Sequence, residues 1–551
     1  MRLVTLPLIF GALLLSTVAG GAGLGPGRGP GRPGEGSGEG PPAPAAVPES
    51  EPESASGSGA VPPLGRVIPA PSLVQPADDG HALTDATVIR VADSAEARAI
   101  GESLAALLRP ATGFALPVTA EEGADGIRLV LDHSATALGE EGYRLESAPA
   151  ALTLTAYRAA GLFRSVQTLR QLLPVAVEET AVQDGPWPVP GGTIEDTPRF
   201  GYRGAMLDVA RHFFGVDHIK RFIDEIARYK FNTLHLHLTD DQGWRLAIES
   251  WPKLAERGGA TAVGGGEGGY YTQEQYRDIV AYAAERYIEV IPEIDMPGHT
   301  AAALASYPEL TADGAEAEVY TGTDVGFSSL AVHKPVTYDF VDDVLREVAA
   351  LTPGRYLHIG GDEADATSAE DYALFMARAQ ETVVKLDKTV IAWHQLAATD
   401  AVPGAILQYW GYDGTKEPER AQVVEAVRRG ARLILSPGDR AYLDHKYTAE
   451  TELGLEWAGL VEVDQSYDWD PGTYLDGVPE EAVYGVEAPL WTETVVTQAD
   501  LEYLVFPRLP GIAELGWSAA GRDWDEYRVR LAGEARRWRA RGVTYYASPL
   551  F

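Results

Sequence analysis

The chain has 551 residues, 45% of them hydrophobic, with no cysteine and a formal net charge of −35. That length exceeds one ordinary domain and suits two with a sizeable apolar core. The charge argues against nucleic acid and anionic membrane surfaces as partners. The missing cysteine excludes disulfides, a thiolate nucleophile and cysteine-held metals.

Taken in order, the chain opens with Arg2, an apolar run at 3–15 and small residues at 16–23. The run is too short to span a bilayer comfortably and predicts a secretory signal over 1–20, hence a secreted, extracellular protein free of the membrane once the signal is cleaved. Residues 21–64 are almost all Gly, Pro, Ala, Ser and Glu, a composition that cannot bury a core and reads as a disordered tether. A small α/β unit is expected over 65–197. Its predicted elements are a strand at 87–91, a helix at 94–108 with Leu104, Leu107 and Leu108 on one face, a strand at 127–131, strands paired as a hairpin at 143–146 and 151–156, and a helix at 161–173 that Pro174 stops. No convergent polar cluster marks this unit, so it reads as a structural accessory domain.

From residue 198 to 551 apolar strands alternate with helical stretches, the signature of parallel β/α units. Eight strands are predicted, at 205–209, 233–238, 288–292, 356–360, 390–393, 406–410, 432–435 and 484–490. Helices fall between most of them, as at 217–229, 273–286, 338–351 and 420–429. The fold class is therefore α/β: a (β/α)₈ TIM barrel preceded by a small α/β accessory domain, with its active site at the C-terminal ends of the strands. Those ends are followed in turn by Asp208 and Arg211; His237, Asp240 and Asp241; Glu293, Asp295 and His299; Asp362 and Glu363; Trp393; Trp410; Tyr442 and Asp444; and Trp491 and Glu493. Acids, an arginine and several aromatics around one mouth describe a sugar site, since aromatic faces stack on pyranose C–H groups and charged groups bind hydroxyls.

The fourth strand is the most specific stretch: Tyr356-Leu357-His358-Ile359 runs through Gly360-Gly361 into Asp362-Glu363. Two adjacent acids repel each other's charge, so one tends to keep its proton and can act as a general acid. Three bland or rival assignments compete with a sugar-cleaving site. His235 and His237 share a strand face and, with Asp240 and His299, could form a zinc hydrolase centre, or the chain could bind sugar without cleaving it. His235 and His358 also fit buried, satisfied core histidines. Arg203, Trp187 and Trp517 read as structural, and the glycines at 264–266 and 268–269 lack the strand and the Lys-Ser/Thr of a phosphate cradle.

Five stretches resemble glycoside hydrolase family 20, the β-N-acetylhexosaminidases, in particular the secreted actinobacterial kind. They are Met206-Leu207-Asp208-Val209-Ala210-Arg211-His212-Phe213-Phe214, the run from Leu234 to Arg245, Pro292-Glu293-Ile294-Asp295-Met296-Pro297-Gly298-His299, His358-Ile359-Gly360-Gly361-Asp362-Glu363, and Glu487-Ala488-Pro489-Leu490-Trp491-Thr492-Glu493. The resemblance implies an exo-acting, cofactor-free, monomeric enzyme. It would release terminal N-acetylglucosamine and N-acetylgalactosamine from oligosaccharides such as chitin fragments, with retention, through an oxazolinium intermediate. It implies Glu363 as general acid, Asp362 on the acetamido N–H and Tyr442 on its carbonyl. Trp393, Trp410 and Trp491 become the pocket wall, Arg211 binds the 3- and 4-hydroxyls, and Asp444 and Glu493 bind the outer hydroxyls. Asp240 and His299 stand behind the acid, and Trp457 lines the aglycone side. Asp365 departs from the family pattern, which has His there.

Overall fold

The computed structural model describes residues 63–91 and 93–551. The expected signal and all but the end of the expected tether lie outside the described residues. Leu64, at that end, is buried in the core, so packed chain begins before the expected boundary.

The first domain is a seven-stranded sheet in the order Leu73–Pro76, Gly192–Asp196, Tyr143–Ala148, Ala151–Ala156, Gly126–Leu131, Ile89–Val91, Val118–Thr119. The hairpin at its centre pairs Tyr143 with Ala156 through Ala148 with Ala151. The Ala95–Thr112 helix starts on Ser94, whose side chain accepts from Ala97 N, and ends at Gly113 in the left-handed region. It outruns its expected end by four residues because the stop is this glycine cap and not Pro110. The Ala159–Leu172 helix is buried on nearly every face, because the sheet covers one side and the barrel the other.

The second domain is a closed barrel of eight strands: Tyr202–Asp208, Thr233–His237, Glu289–Glu293, Tyr356–His358, Thr389–Trp393, Ile406–Tyr409, Arg432–Leu435 and Val483–Leu490. Every neighbouring pair is parallel, and Tyr202↔Gly485 through Leu207↔Leu490 closes the ring. All eight predicted strands are present. The fourth stops at His358, two residues early, because Gly360 and Gly361 take positive φ.

Buried charges rivet the two domains together. Lys230 Nζ is fully buried, 3.0 Å from Asp196 Oδ2 and 3.0 Å from Tyr143 Oη, and lies over the Trp517 ring. Trp517 Nε1 donates to the other Asp196 oxygen at 2.9 Å. Arg203 and Arg164 share Glu141. Arg203 is thus structural, as its place at a strand start suggested, and Trp187 and Trp517 are buried packing residues. Removing one partner of a buried pair strands the other's charge. Asp196→Ala should therefore destabilise the protein by about 3–5 kcal/mol, read as a lowered midpoint in thermal or denaturant unfolding. An unchanged midpoint would show that the junction does not depend on this pair.

Candidate active site

Strand register brings the site together. Asp208 pairs with His237, His237 with Glu293, and Glu293 with His358, so four strands present their last residues at one level. Beyond His358 the chain turns through Gly360 (φ 61°) and Gly361 (φ 101°). A Cβ on Gly360 would fall 1.6 Å from Asp295 Oδ1, which accepts from Gly361 N at 2.9 Å. Only glycine permits that approach. Glu363 (φ 43°) and His299 (φ 54°) also occupy the left-handed region, a strained placement for residues with side chains, of the kind that clusters at functional sites.

Asp362 points inward and is buried, whereas the Glu363 side chain is 34% exposed. Between them stands His299, with Nε2 3.3 Å from Glu363 Oε2 and 3.7 Å from Asp362 Oδ2, and Nδ1 3.2 Å from Asp240 Oδ1. Asp240 Oδ2 in turn lies 2.9 Å from both His237 Nε2 and Arg211 Nη2. Arg211 also pairs with Asp208 and lies over the Trp491 ring, its guanidinium carbon 4.8 Å from the centroid.

Trp393, Tyr442 and Trp491 form one buried cluster with Met206, and Trp410 packs on it. Trp393 and Trp491 have centroids 5.8 Å apart. Trp457 is 44% exposed and stands edge-on to Trp410 at 5.7 Å and to Tyr442 at 5.8 Å. Several buried atoms around this box have no protein partner: Asp362 Oδ1, both carboxylate oxygens of Asp444, Glu493 Oε2 and Arg211 Nε. Buried polar atoms are ordinarily paired, and here they surround an aromatic box, the arrangement a polyhydroxylated ligand with an amide completes. All twelve residues expected from the sequence thus fall at the C-terminal mouth of the barrel. Asp365 is exposed beside Gly326.

The family description "Glycosyl hydrolase family 20, catalytic domain" matches residues 200–371 and 365–520, and "Glycosyl hydrolase family 20, domain 2" matches 65–197. A β-N-acetylhexosaminidase of Cellulomonas fimi is 44% identical over 487 residues, covering 88% of this chain and 96% of its own. The family 20 β-N-acetylhexosaminidase of Streptomyces coelicolor superposes with a TM-score of 0.87 at 62% identity, covering 88% of this chain and 98% of the other. A mutant Streptomyces plicatus β-hexosaminidase in complex with its product GlcNAc gives 0.86 at 62% identity, covering 89% and 97%.

The chain belongs to glycoside hydrolase family 20. Its electrostatics suit a glycosidase of that family. Burial and the charge of Glu363 push the Asp362 carboxyl up to about 6, while His299 pulls the other way. Burial and the charge of Asp362 push Asp295 well above the carboxylate range, so Asp295 keeps a proton beside Asp362. Burial disfavours the His299 cation, but Asp240 and Asp362 outweigh it and hold His299 well above its ordinary value. Burial and the Asp362 charge keep the Tyr442 hydroxyl protonated. Asp444 and Glu493 are both pushed up, first by burial.

The same network bears on the metal alternative. Among the described residues, four sets of side chains are close enough to share an ion: His235, Glu293 and His358; His237, Glu293 and Asp295; Asp240, Asp241 and His299; Asp295, His299 and Asp362. Despite burial, Glu487 and Glu293 push His235 up to about 9, and His237 and His299 lie well above their ordinary value. An imidazolium has no lone pair for a metal, so an ion at these sets would have to displace protons that the neighbouring carboxylates hold in place. His235 is therefore a buried ion-pair member, whereas His358 is kept neutral by burial and has an unpartnered Nε2. Both are buried core histidines, as expected, and each pairs with Glu293 at 3.0 Å, although Nε2 of each lacks a hydrogen bond of good geometry.

If Asp362 works as the resemblance implies, it must be ionised to offset positive charge developing nearby. The acid limb of kcat/KM, which reports the free enzyme, should then fall as pH drops through about 6. His299→Gln removes the cation that favours the ionised form, so this acid limb should move to higher pH. A limb that stays in place, measured on a chromogenic N-acetylglucosaminide, would contradict the assignment to Asp362.

Proposed function

We propose that this site removes terminal β-linked N-acetylglucosamine and N-acetylgalactosamine from oligosaccharides such as chitin fragments, by a retaining mechanism in which the substrate's own acetamide is the nucleophile. The observation that carries the reading is the divergence of adjacent acids: Asp362 faces into the aromatic box while Glu363 faces the open mouth. A retaining enzyme with a protein nucleophile sets two carboxyl groups about 5 Å apart across the sugar. Neighbouring residues that turn to different sides do not make that pair, and family 20 is an exception in which the substrate assists.

The chemistry follows from the contacts. Glu363 donates a proton to the glycosidic oxygen as the leaving group departs toward solvent. The acetamido carbonyl oxygen attacks C1 from the opposite face and closes an oxazolinium ring. Asp362 accepts the acetamido N–H and offsets the positive charge that spreads onto that nitrogen. The Tyr442 hydroxyl donates to the carbonyl oxygen and holds it on line, and Trp393, Trp410 and Trp491 enclose the methyl group and ring. Glu363, now ionised, takes a proton from water, which opens the ring with a second inversion. Arg211, Asp444 and Glu493 bind the sugar's hydroxyls, Asp240 and His299 support the acid, and Trp457 lines the path of the leaving group. A relative in Vibrio harveyi is named N,N'-diacetylchitobiase, which supports chitin-derived substrates.

We also propose that the protein works outside the cell as a monomer. Mass spectrometry of the exported product, with an N-terminus between residues 19 and 23, and a monomeric mass in solution would support this. Among the described residues no helix is long and apolar enough to cross a membrane.

Glu363→Gln keeps the shape and removes the donor. General acid catalysis is worth about 10²–10⁴-fold, so the loss should be of that size for a poor leaving group and smaller for an activated aryl glycoside. Equal losses on both substrates would remove Glu363 from the role. Turnover by the unaltered protein in excess chelator should be undiminished.

A further inference from the structure

The interior of a (β/α)₈ barrel is ordinarily filled by branched apolar side chains. Beneath this mouth it is charged. Glu293, fully buried at the end of its strand, gathers four ring nitrogens on two oxygens. Oε1 accepts from Trp393 Nε1 at 2.8 Å and lies 3.0 Å from His358 Nδ1. Oε2 lies 2.5 Å from His237 Nδ1 and 3.0 Å from His235 Nε2. A buried ionic cluster of this kind is weak evidence for stability, since well-packed apolar residues often do as well or better. Its two arms lead elsewhere. One ends on Trp393, a wall of the acetamide pocket. The other runs from His237 to Asp240 (2.9 Å), from Asp240 to His299 (3.2 Å) and from His299 to Glu363 (3.3 Å).

We propose that Glu293 is a positioning residue that sets the pocket wall and the general acid in a single frame, through Trp393 on one oxygen and the His237–Asp240–His299 chain on the other. It touches neither substrate nor reacting atoms. The proposal rests on the hexosaminidase reading above and deepens it. Both arms require an acceptor at Glu293, which a carboxylate supplies twice and an amide only once. Glu293→Gln therefore cannot keep both. Whichever arm loses its acceptor relaxes, and a misplacement near 1 Å can cost about 10²-fold in rate.

The test uses the full chain, two aryl N-acetylglucosaminides with good and poor leaving groups, and a stable N-acetylglucosamine thiazoline as competitive inhibitor. Trp393→Phe removes the indole N–H that Glu293 accepts, together with the five-membered ring, and should weaken thiazoline inhibition, with the same proportional loss on both substrates. His237→Gln should lose more on the poor leaving group than on the good one, and leave thiazoline inhibition close to that of the unaltered protein. Glu293→Gln should show at least one of these signatures, with a loss of about 10²-fold on the poor leaving group where the acid arm relaxes. Thiazoline inhibition and leaving-group dependence both unchanged in Glu293→Gln, alongside a lowered melting temperature, would make Glu293 a core carboxylate only. If that variant does not fold, the single-arm variants decide: unchanged inhibition in Trp393→Phe together with equal losses on both substrates in His237→Gln overturns the proposal. An unaltered protein that neither cleaves the glycosides nor binds the thiazoline would instead overturn the hexosaminidase reading, and this proposal with it. Failure confined to the variants leaves that reading standing.

Discussion

One buried imidazolium holds this site together. His299 stands among Asp240, Asp362 and Glu363, and without its charge three carboxyl groups would crowd a region with little water to screen them. Burial alone would push Asp362 toward its neutral form. The cation limits that rise, so the carboxyl can ionise near neutral pH and still be poised to accept an amide N–H. The same ring lies 3.3 Å from Glu363, so one group stands beside both acids of the proposed reaction.

The backbone makes that arrangement possible. Gly360 lets the chain pass against Asp295, and the left-handed turn at Glu363 then swings consecutive side chains in different directions. Asp295, protonated beside Asp362, adds a neutral carboxyl where a second charge could not be tolerated. The barrel supplies the rigid frame through register across four strands, and the first domain is fixed to it by buried ion pairs remote from the mouth. Rigidity around the pocket has a direct use in substrate assistance, because an amide attacks its own anomeric carbon only when held in one rotamer.

Much of this was legible in the sequence, for identifiable reasons. Barrel strands are buried on both faces, so all eight read as apolar runs, and polar residues at their ends stand out against them. Trp393, Trp410 and Trp491 stand out because each ends or directly follows such a run. The edge of the first sheet was harder. Leu73–Pro76 and Gly192–Asp196 pair with each other across more than a hundred residues, and their Pro and Gly content hides strand character. Glu293 was visible as a strand-end acid, but no spacing shows that four ring nitrogens from three other strands converge on it. The charge of His235 was equally hidden, since its two carboxylate partners lie far from it in the sequence. The left-handed backbone of Glu363 and His299 leaves no trace in residue type at all.

The central claim is that the nucleophile belongs to the substrate. The most direct measurement is kcat for aryl N-acetylglucosaminides whose acetyl methyl carries zero, one, two and three fluorines, with the leaving group held constant. Fluorine draws electrons from the carbonyl oxygen, so an attacking carbonyl predicts a steep, monotonic fall with each substitution. A rate that stays level across the series, with a glycosyl ester trapped on an Asp or Glu of the protein, would contradict the account.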